Sequence, residues 1–239
     1  MALVGGLVVL LPIRLLTFAL VADRPSLLGT LYLRTLLWGL RIRVETRGTF
    51  AENSLIVANH ISWTDVLVLG AIRPTLFVAK SEVRNWPLLG FLARLNGTLF
   101  VRRDARQLAR EQVATVTNAL ARGPVALFPE GTTGCGAQVL PFKPTLFAAA
   151  TGHHVQPVSI QYRPRGRDWA PGELARFAWD GEKEFWPHLL EISGGRPIEC
   201  LVIAHSPMTA TPDGRKPLAK ICRQIITDAL VEQPSEDPV

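Results

Sequence analysis

The sequence has few cysteines, and none stands in a spacing that binds metal or supports dithiol chemistry. Cys135, Cys200 and Cys222 form no CxxC pair, so neither a zinc site nor a redox motif is predicted. An odd number of cysteines favours a reducing compartment, where thiols behave as small apolar residues. The adjacent His153 and His154 have no Cys, Asp or Glu at ligand spacing, so the sequence predicts no bound metal.

Charged residues are also scarce, at 19% of 239, whereas 48% are hydrophobic and the mean hydropathy is +0.20. This composition excludes a disordered chain and favours membrane contact. Residues 1–110 hold 14 Lys/Arg and 6 Asp/Glu, a net charge of +8, whereas residues 111–239 hold 12 and 14, a net of −2. The sequence has two tyrosines and no basic stripe interleaved with aromatics, so no nucleic-acid partner is predicted. The basic, apolar N-terminal half predicts an anionic membrane surface or a phosphate-bearing ligand as partner.

Several familiar signatures are missing as well. No apolar run is long and clean enough for a polytopic membrane protein. The chain contains no GxSxG elbow, no Walker A loop, no HExxH motif and no GxGxxG after a predicted strand. A nucleophilic serine, a phosphate-binding nucleotide loop, a zinc protease site and a dinucleotide fold therefore have no support.

The N-terminal segment is apolar but does not resemble a simple membrane span. Residues 1–22 would form a helix roughly 33 Å long, which is enough to cross a bilayer. Pro12 would break a helical hydrogen bond, and Arg14 would be costly at the centre of a lone span. Residues 27–40 form a second apolar stretch. A signal peptide is not predicted, because no Lys or Arg precedes the apolar core and no A-x-A site follows it. We predict that residues 1–40 form a membrane-associated helical hairpin in one leaflet, the alternative being two helices packed on the domain.

From about residue 41, short apolar runs alternate with helical patterns. This alternation predicts a single α/β domain over residues 41–231, with a mostly buried central sheet flanked by helices. The predicted strands are residues 54–58, 76–79, 97–101, 125–128, 155–162 and 198–204. Helices are predicted over residues 104–122 and 216–231, the latter burying Leu218, Ile221, Ile225 and Leu230. Residues 232–239 contain two prolines and three acids and are predicted to be disordered.

The segment ANHISWTD, residues 58–65, follows a predicted strand and opens an apolar, helix-like run. In one continuous helix, His60 and Asp65 would lie about 140° apart and would not face each other. If His60 lies at the strand–helix turn and Asp65 in the first helical turn, the carboxylate reaches Nδ1–H. That contact fixes the tautomer and makes Nε2 a general base. The alternative is an ordinary turn histidine beside an N-terminal helix aspartate, because so short a spacing also occurs by chance.

Polar residues also follow three other predicted strands. The segment FPEGTTG, residues 128–134, suits a loop that binds a polar ligand, although an ordinary turn has the same composition. Lys80 ends one strand and Arg103 follows another. Because α/β proteins form their ligand crevice at the carboxyl ends of strands, these two cations are candidates to bind a phosphate. Taken singly, each is more often a solvated surface cation.

Together these segments resemble the glycerophospholipid acyltransferase family, whose bacterial prototype is 1-acyl-sn-glycerol-3-phosphate acyltransferase. Four sequence blocks of the family are matched in order. Asn59, His60 and Asp65 match the NHxxxxD block, and Gly97, Phe100 and Arg103 match the GxxFxxR block. Residues 128–132 match the FPEGT block, and Val155 and Pro157 match a short apolar run that ends in proline. The order and spacing agree from about residue 41 to residue 205.

The resemblance implies transfer of a fatty acyl group from acyl-CoA or acyl-carrier protein to the free hydroxyl of lysophosphatidic acid, giving phosphatidic acid for phospholipid biosynthesis. It implies that His60 is the general base, that Asp65 orients it, and that the hydroxyl itself is the nucleophile. No metal and no cofactor besides the acyl donor are implied. The substrate-binding residues that the resemblance implies are Glu130, Gly131 and Thr132 in the acceptor site, and Lys80 and Arg103 around the phosphate.

Two departures from the family pattern bear on the acceptor. Thr133 stands where many phosphatidate-forming members have arginine, and Arg102 stands where many have an acidic residue. The FPEGTT form, continuing into residues 140–143, also resembles members that acylate lyso-ornithine lipid, which is the alternative acceptor. Two functions of different classes also fit these residues: a thioester hydrolase with the same histidine–aspartate pair, and a non-catalytic lipid-binding protein. The implied location is the cytoplasmic face of a bacterial inner membrane.

Overall fold

Short apolar runs of the chain pair into one eight-stranded β-sheet within the residues that the computed structural model describes, which are 26–86, 89–102, 109–179, 183–211 and 213–231. The strands are β1 (Ile42–Arg47), β2 (Leu55–Ala58), β3 (Leu76–Lys80), β4 (Leu99–Val101), β5 (Val125–Leu127), β6 (His154–Pro164), β7 (Ile198–Ala204) and β8 (Met208–Thr209). Their order is β1-β7-β6-β2-β5-β3-β4, and β8 pairs with β6 outside this path. The sheet is mixed, because β7 and β8 run antiparallel to β6 and the other pairs are parallel.

Helices cover both faces of the sheet. They are α1 (Leu27–Gly39), α2 (Thr64–Ile72), α3 (Leu89–Leu95), α4 (Ala109–Leu120), α5 (Glu173–Phe177), α6 (Phe185–Gly194) and α7 (Arg215–Val231). One apolar cluster joins one face of the sheet to α1, α2 and α6, and a second joins the other face to α4, α7 and the 3₁₀ turn Thr145–Ala150. The strands β2 and β5 lie between these layers and are buried along their length, which is typical of central parallel strands.

The parallel strands bring their carboxyl ends to one edge of the sheet. The segments after β2, β3 and β5 leave the sheet at this edge, because all three strands run in one direction. The strand β6 also runs in this direction, but it is longer. Ala58, the last residue of β2, lies opposite Val158, so six further residues of β6 extend past the edge. Side chains from β6 can therefore contact the segment that follows β2.

The α/β prediction is confirmed, and each predicted strand is present: β7 has the predicted bounds, and the bounds of the other five differ from the prediction by at most two residues. The strands β1 and β8 were not predicted. The helix predicted over residues 104–122 is observed as Ala109–Leu120, and residues 104–108 lie outside the described part of the chain. The predicted buried face of α7 is partly wrong. Leu218 is buried as predicted, but Ile221 is 47% exposed and Ile225 and Leu230 are half-buried. The other buried residues of the helix are Ala219, Cys222 and Ile226.

Only the second arm of the predicted N-terminal hairpin falls within the described residues. It forms α1. At the N-terminus of this helix, the N–H of Gly29 donates to the hydroxyl oxygen of Ser26. Residues 1–25 and the tail 232–239 lie outside the described residues, so the first arm and the predicted disorder stay predictions. Among the described ranges, none of the helices combines the length and apolarity that a bilayer span requires.

The Asn59 side chain extends the pairing of β2 with β6 by one position. Its amide nitrogen donates to the carbonyl oxygen of Ile160 at 2.8 Å, and its amide oxygen accepts from the N–H of Ile160 at 2.8 Å. Asn59 is buried, so the side chain satisfies two backbone groups that water does not reach. Asn59 therefore anchors the start of the His60 segment to β6.

We expect Asn59→Ala to destabilise the fold, because it leaves the N–H and C=O of Ile160 buried without partners. Each such group costs about 1–3 kcal/mol, and urea unfolding measures the loss. The control is Asn118→Ala on the exposed side of α4, which removes the same side chain at a helical position that favours alanine. Equal stability of the two variants would contradict the anchoring role.

Candidate active site

His60 and Asp65 are in direct contact at the carboxyl edge of the sheet. His60 lies two residues after β2, and Asp65 lies in the first turn of α2, where its N–H donates to the Ser62 carbonyl oxygen at 3.0 Å. The turn between them brings Nδ1 of His60 to 2.8 Å from Oδ2 of Asp65. The structure thus brings together the pair that the spacing predicted.

The Asp65 carboxylate is fully buried and surrounded by hydrogen-bond donors. Its Oδ2 accepts from the N–H groups of Ile61 at 2.7 Å and Ser62 at 3.0 Å, in addition to the His60 ring. Its Oδ1 accepts from the hydroxyl of Tyr162 at 2.6 Å. A buried carboxylate is stable as an anion only with such donors. The anion in turn favours the His60 tautomer that carries its proton on Nδ1.

The other side of the His60 ring faces the surface. The side chain is 18% exposed, and no hydrogen bond to Nε2 is present among the described residues. The ring stacks on Phe128, the residue after β5, with centroids 4.0 Å apart and planes 13° apart. The carbonyl oxygen of His60 accepts from the N–H of Gly134 at 2.9 Å. The ring is therefore fixed by its neighbours while Nε2 remains accessible to a substrate hydroxyl.

Glu130 supports the backbone of His60. Its Oε1 accepts from the His60 N–H at 2.7 Å, and its Oε2 accepts from the Leu140 N–H at 2.8 Å. On α7, Arg223 donates to the carbonyl oxygens of Val139 and Leu140, which holds the same loop. The Glu130 side chain is buried, and this burial raises its pKa to about 7 although both N–H groups lower it. Both carboxylate oxygens are engaged within the protein, so Glu130 acts on His60 through the backbone.

Gly131 and Thr132 lie beside Glu130 toward the surface. Gly131 has φ of 81°, a left-handed conformation that glycine adopts without strain. Its N–H donates to the Phe128 carbonyl oxygen at 3.1 Å, which closes the turn. Thr132 is exposed next to this turn. Their predicted contact with the acceptor stays a prediction.

Lys80 lies at the same edge as His60, but it already has an ionic partner. It ends β3, which is separated from β2 by β5, so the two strands are about 10 Å apart at the usual spacing. Its Nζ lies 2.8 Å from Oε1 of Glu82, and its side chain is 50% exposed. The hydrogen bond from Lys80 is the main cause that lowers the pKa of Glu82 to about 2. Arg103, the second predicted phosphate ligand, lies outside the described residues.

Tyr162 is a site residue that the sequence analysis did not identify. It lies on the part of β6 that extends past the sheet edge, and its hydroxyl accepts from the Thr64 hydroxyl at 3.0 Å while donating to Asp65. Burial is the main cause that raises the pKa of Tyr162 well above its usual value, so the hydroxyl keeps its proton. No local signal in the sequence singles out Tyr162, because β6 also carries the polar residues Gln156, Ser159 and Gln161.

Comparisons with known proteins show which proteins this chain is similar to. A family model described as Acyltransferase matches residues 41–161. The chain is 41% identical to a lyso-ornithine lipid O-acyltransferase of Rhizobium meliloti over 66% of this chain and 58% of that protein. It is 40% identical to the protein of the same name from Brucella abortus over 77% of this chain and 73% of that protein. The chain thus spans a little more than half of the Rhizobium relative and nearly three quarters of the Brucella relative.

Two further similarities concern proteins that act on another acceptor. The chain is 39% identical to a 1-acyl-sn-glycerol-3-phosphate acyltransferase of Neisseria gonorrhoeae over 45% of this chain and 44% of that protein. The chain also matches the crystal structure of the 1-acyl-sn-glycerophosphate acyltransferase PlsC from Thermotoga maritima. This match covers both chains fully, with a TM-score of 0.54 and 21% sequence identity. At this identity, the structural similarity supports the fold.

We expect Tyr162→Phe to lower kcat of the predicted acyl transfer by about 10- to 150-fold with little change in KM. The variant removes one donor from the buried Asp65 carboxylate, and a hydrogen bond to a charged group contributes about 1.5–3 kcal/mol. The control is Tyr32→Phe, which removes the hydroxyl of the other tyrosine, in α1. A kcat for Tyr162→Phe equal to that of Tyr32→Phe would refute the role of this hydroxyl.

We expect the stability difference between the wild type and Glu130→Gln to depend on pH. The unfolded carboxyl titrates near 4.5 and the folded one near 7. Between these values the folded protein retains a proton that the unfolded chain has released, so wild-type stability falls as pH rises from about 4.5 to about 7 and then levels off. Glutamine does not titrate and lacks this slope. Urea unfolding of both proteins across this range measures it, and a difference independent of pH would show that Glu130 titrates normally.

Proposed function

The chain belongs to the acyltransferase family, and from this membership and the contact between His60 and Asp65 we propose that it transfers a fatty acyl group from a thioester to the hydroxyl of a lyso-lipid. The donor is acyl-CoA or acyl-carrier protein. The observation that carries the proposal is a histidine whose Nδ1 contacts a buried carboxylate while its Nε2 faces the surface. This is the arrangement of a general base.

In the proposed reaction, Nε2 of His60 removes the proton of the acceptor hydroxyl as its oxygen attacks the thioester carbonyl carbon. The new C–O bond forms, the C–S bond breaks, and the leaving thiolate takes the proton back from the imidazolium. Asp65 stabilises the imidazolium while it carries charge, because the carboxylate lies 2.8 Å from Nδ1. No acyl-enzyme is formed, since the hydroxyl is the nucleophile.

We propose lyso-ornithine lipid as the acceptor. The Rhizobium and Brucella relatives, which are 41% and 40% identical to this chain over 66% and 77% of it, have this acceptor in their names. Lyso-ornithine lipid lacks a phosphate, and the cation at the end of β3, Lys80, is already paired with Glu82. Thr133 also takes the position where many phosphatidate-forming members have arginine.

Lysophosphatidic acid is the second candidate, and one observation favours it. The segment that matches the Neisseria relative is as similar, at 39% identity, as the longer matches. With this acceptor, Lys80 would exchange Glu82 for the phosphate, and Arg103 would supply the second cation. Two guanidinium or ammonium groups offset the desolvation of a phosphate better than one.

We also propose that the protein works at the cytoplasmic face of a bacterial membrane, where its lipid acceptor resides. The support is a stripe of exposed apolar side chains along α1. Leu27, Leu31 and Trp38 follow one another at helical spacing on the side of α1 that faces away from the core, and Trp38 is 66% exposed. Such a stripe suits a helix that lies in the interface of a bilayer.

We expect His60→Ala to reduce acyl transfer by about 100- to 10,000-fold, the contribution of a general base, while the fold is retained. Asp65→Asn is expected to lose activity strongly as well, because the amide does not stabilise the imidazolium. The measurement is formation of labelled lipid ester from labelled acyl-CoA and purified protein. The matched control is His154→Ala at the exposed start of β6, which is expected to retain wild-type turnover.

A panel of acceptors in the same assay identifies the substrate. We expect kcat/KM for lyso-ornithine lipid to exceed that for lysophosphatidic acid, and the reverse order would assign the second candidate. Wild-type turnover by His60→Ala would show that another group is the base. Release of labelled free fatty acid at the same rate without any acceptor would instead indicate a thioester hydrolase.

A further inference from the structure

A groove on the outer edge of the sheet brings together four arginines. It lies between α1 and the edge strand β1, and Arg34, Arg41, Arg43 and Arg165 line it together with apolar side chains that include Trp38. We call it the arginine groove. Its volume of about 760 Å³ is within the range of ligand sites. Neither of the catalytic residues His60 and Asp65 lines it.

The fold holds these arginines in place through contacts from separate elements. The Ile198 N–H donates to the Arg41 carbonyl oxygen at 3.0 Å, and the Arg165 N–H donates to the Pro197 carbonyl oxygen at 2.9 Å. Arg41 and Arg165 therefore flank the start of β7. The Arg34 Nε donates to the Ala71 carbonyl oxygen at the end of α2 at 2.7 Å. The Arg41 guanidinium donates to the carbonyl oxygen of Gly195, after α6.

Arg41 occupies a backbone position at which glycine is usual. It follows the C-cap residue Leu40 of α1 and has φ of 57°, in the left-handed region. A residue with a side chain is strained there, and glycine is not. The sequence thus places a guanidinium at this turn despite the backbone strain. The variant Arg41→Gly removes the charge and also relieves the strain. Strained residues that the surrounding structure holds in place are concentrated at functional sites.

The positive charge of the groove is incompletely neutralised. Among the described residues that line it, none is acidic. Glu199 is opposite Arg43 in the β1–β7 register, but its carboxylate lies 3.2 Å from Arg163 and 3.7 Å from Arg165. The Arg43 side chain is exposed, and its guanidinium makes no hydrogen bond or ion pair within the described part of the chain. A guanidinium binds a phosphate oxygen through charge-assisted hydrogen bonds, often two at once.

The surface beside the groove decides which phosphate it fits. Trp38 lines the groove and is 66% exposed, and it continues the apolar stripe of Leu27 and Leu31 along α1. A tryptophan next to arginines is typical of a membrane interface, where the ring lies at headgroup depth and the cations contact lipid phosphates. An acidic protein partner would leave this apolar stripe exposed to water.

We propose that the arginine groove binds the phosphates of anionic phospholipid headgroups and thereby docks the protein on an anionic membrane. Trp38 and Leu31 then enter the interface beside the groove. Ile72 also lines the groove and lies seven residues after Asp65 in α2, so the groove is about 10 Å along this helix from the catalytic pair. The docking site is separate from the catalytic site. The proposal rests on the proposed function only in that a lipid acceptor stays in the bilayer.

Vesicle binding tests the proposal without donor or acceptor. Purified protein is sedimented with vesicles of phosphatidylcholine alone and with vesicles that also contain phosphatidylglycerol. The double variant Arg41→Gly/Arg43→Gln is compared with Arg215→Gln/Lys216→Gln, which removes the same charge from exposed positions on α7, on the other face of the sheet. Each arginine near an anionic surface contributes about five-fold in affinity, so we expect the groove variant to bind the phosphatidylglycerol vesicles about 25-fold more weakly. We expect the α7 variant to bind like the wild type.

Two results would overturn the proposal. Equal wild-type binding to both vesicle types would show that no anionic headgroup is recognised. An equal loss in the groove and α7 variants would show that net charge, and not the groove, determines binding. Intact vesicle binding by a protein without transferase activity would refute the proposed function and leave the docking site established.

Discussion

The Asp65 carboxylate is fully buried, and hydrogen-bond donors surround both of its oxygens. A charge removed from water is stable only when donors replace the lost hydration. Here the donors are two backbone N–H groups of the turn after β2, the His60 ring and the Tyr162 hydroxyl. The start of α2 holds the carboxylate, and the turn and the extension of β6 past the sheet edge supply these donors. The central position of β2 between β5 and β6 then places the pair where several loops converge.

A second buried carboxylate, that of Glu130, stabilises the segment around His60 by contacting its backbone, whereas Asp65 contacts the ring. Glu130 accepts from the His60 backbone and from Leu140, while Arg223 fixes the carbonyl oxygens of that loop. Glu130 therefore connects β5, the loop up to residue 140 and α7 to the position of the imidazole. This explains in physical terms why a glutamate after β5 accompanies a histidine after β2. Its contact with the backbone positions the base, and a direct contact with the acceptor is not needed for that role.

The central strands and the histidine–aspartate pair were predictable because their sequence signals are local. Continuous apolar runs identify β2 and β5, and a turn brings residues five apart into contact. The strand β1 was missed because IRVETR has one buried residue and lies at the sheet edge. Ile221 was placed on the wrong face of α7 because periodicity does not show which side meets the sheet. Tyr162 and the backbone contacts of Glu130 depend on pairing between distant strands, which no local pattern reports.

The account requires that Asp65 hold the His60 proton on Nδ1, leaving Nε2 as the base. Nitrogen NMR of the His60 ring in the wild-type protein tests this requirement directly, because the two ring nitrogens differ in shift according to which carries hydrogen. The account predicts that the neutral imidazole carries its proton on Nδ1, in a hydrogen bond to Asp65, with Nε2 unprotonated. A neutral ring protonated on Nε2 would contradict it.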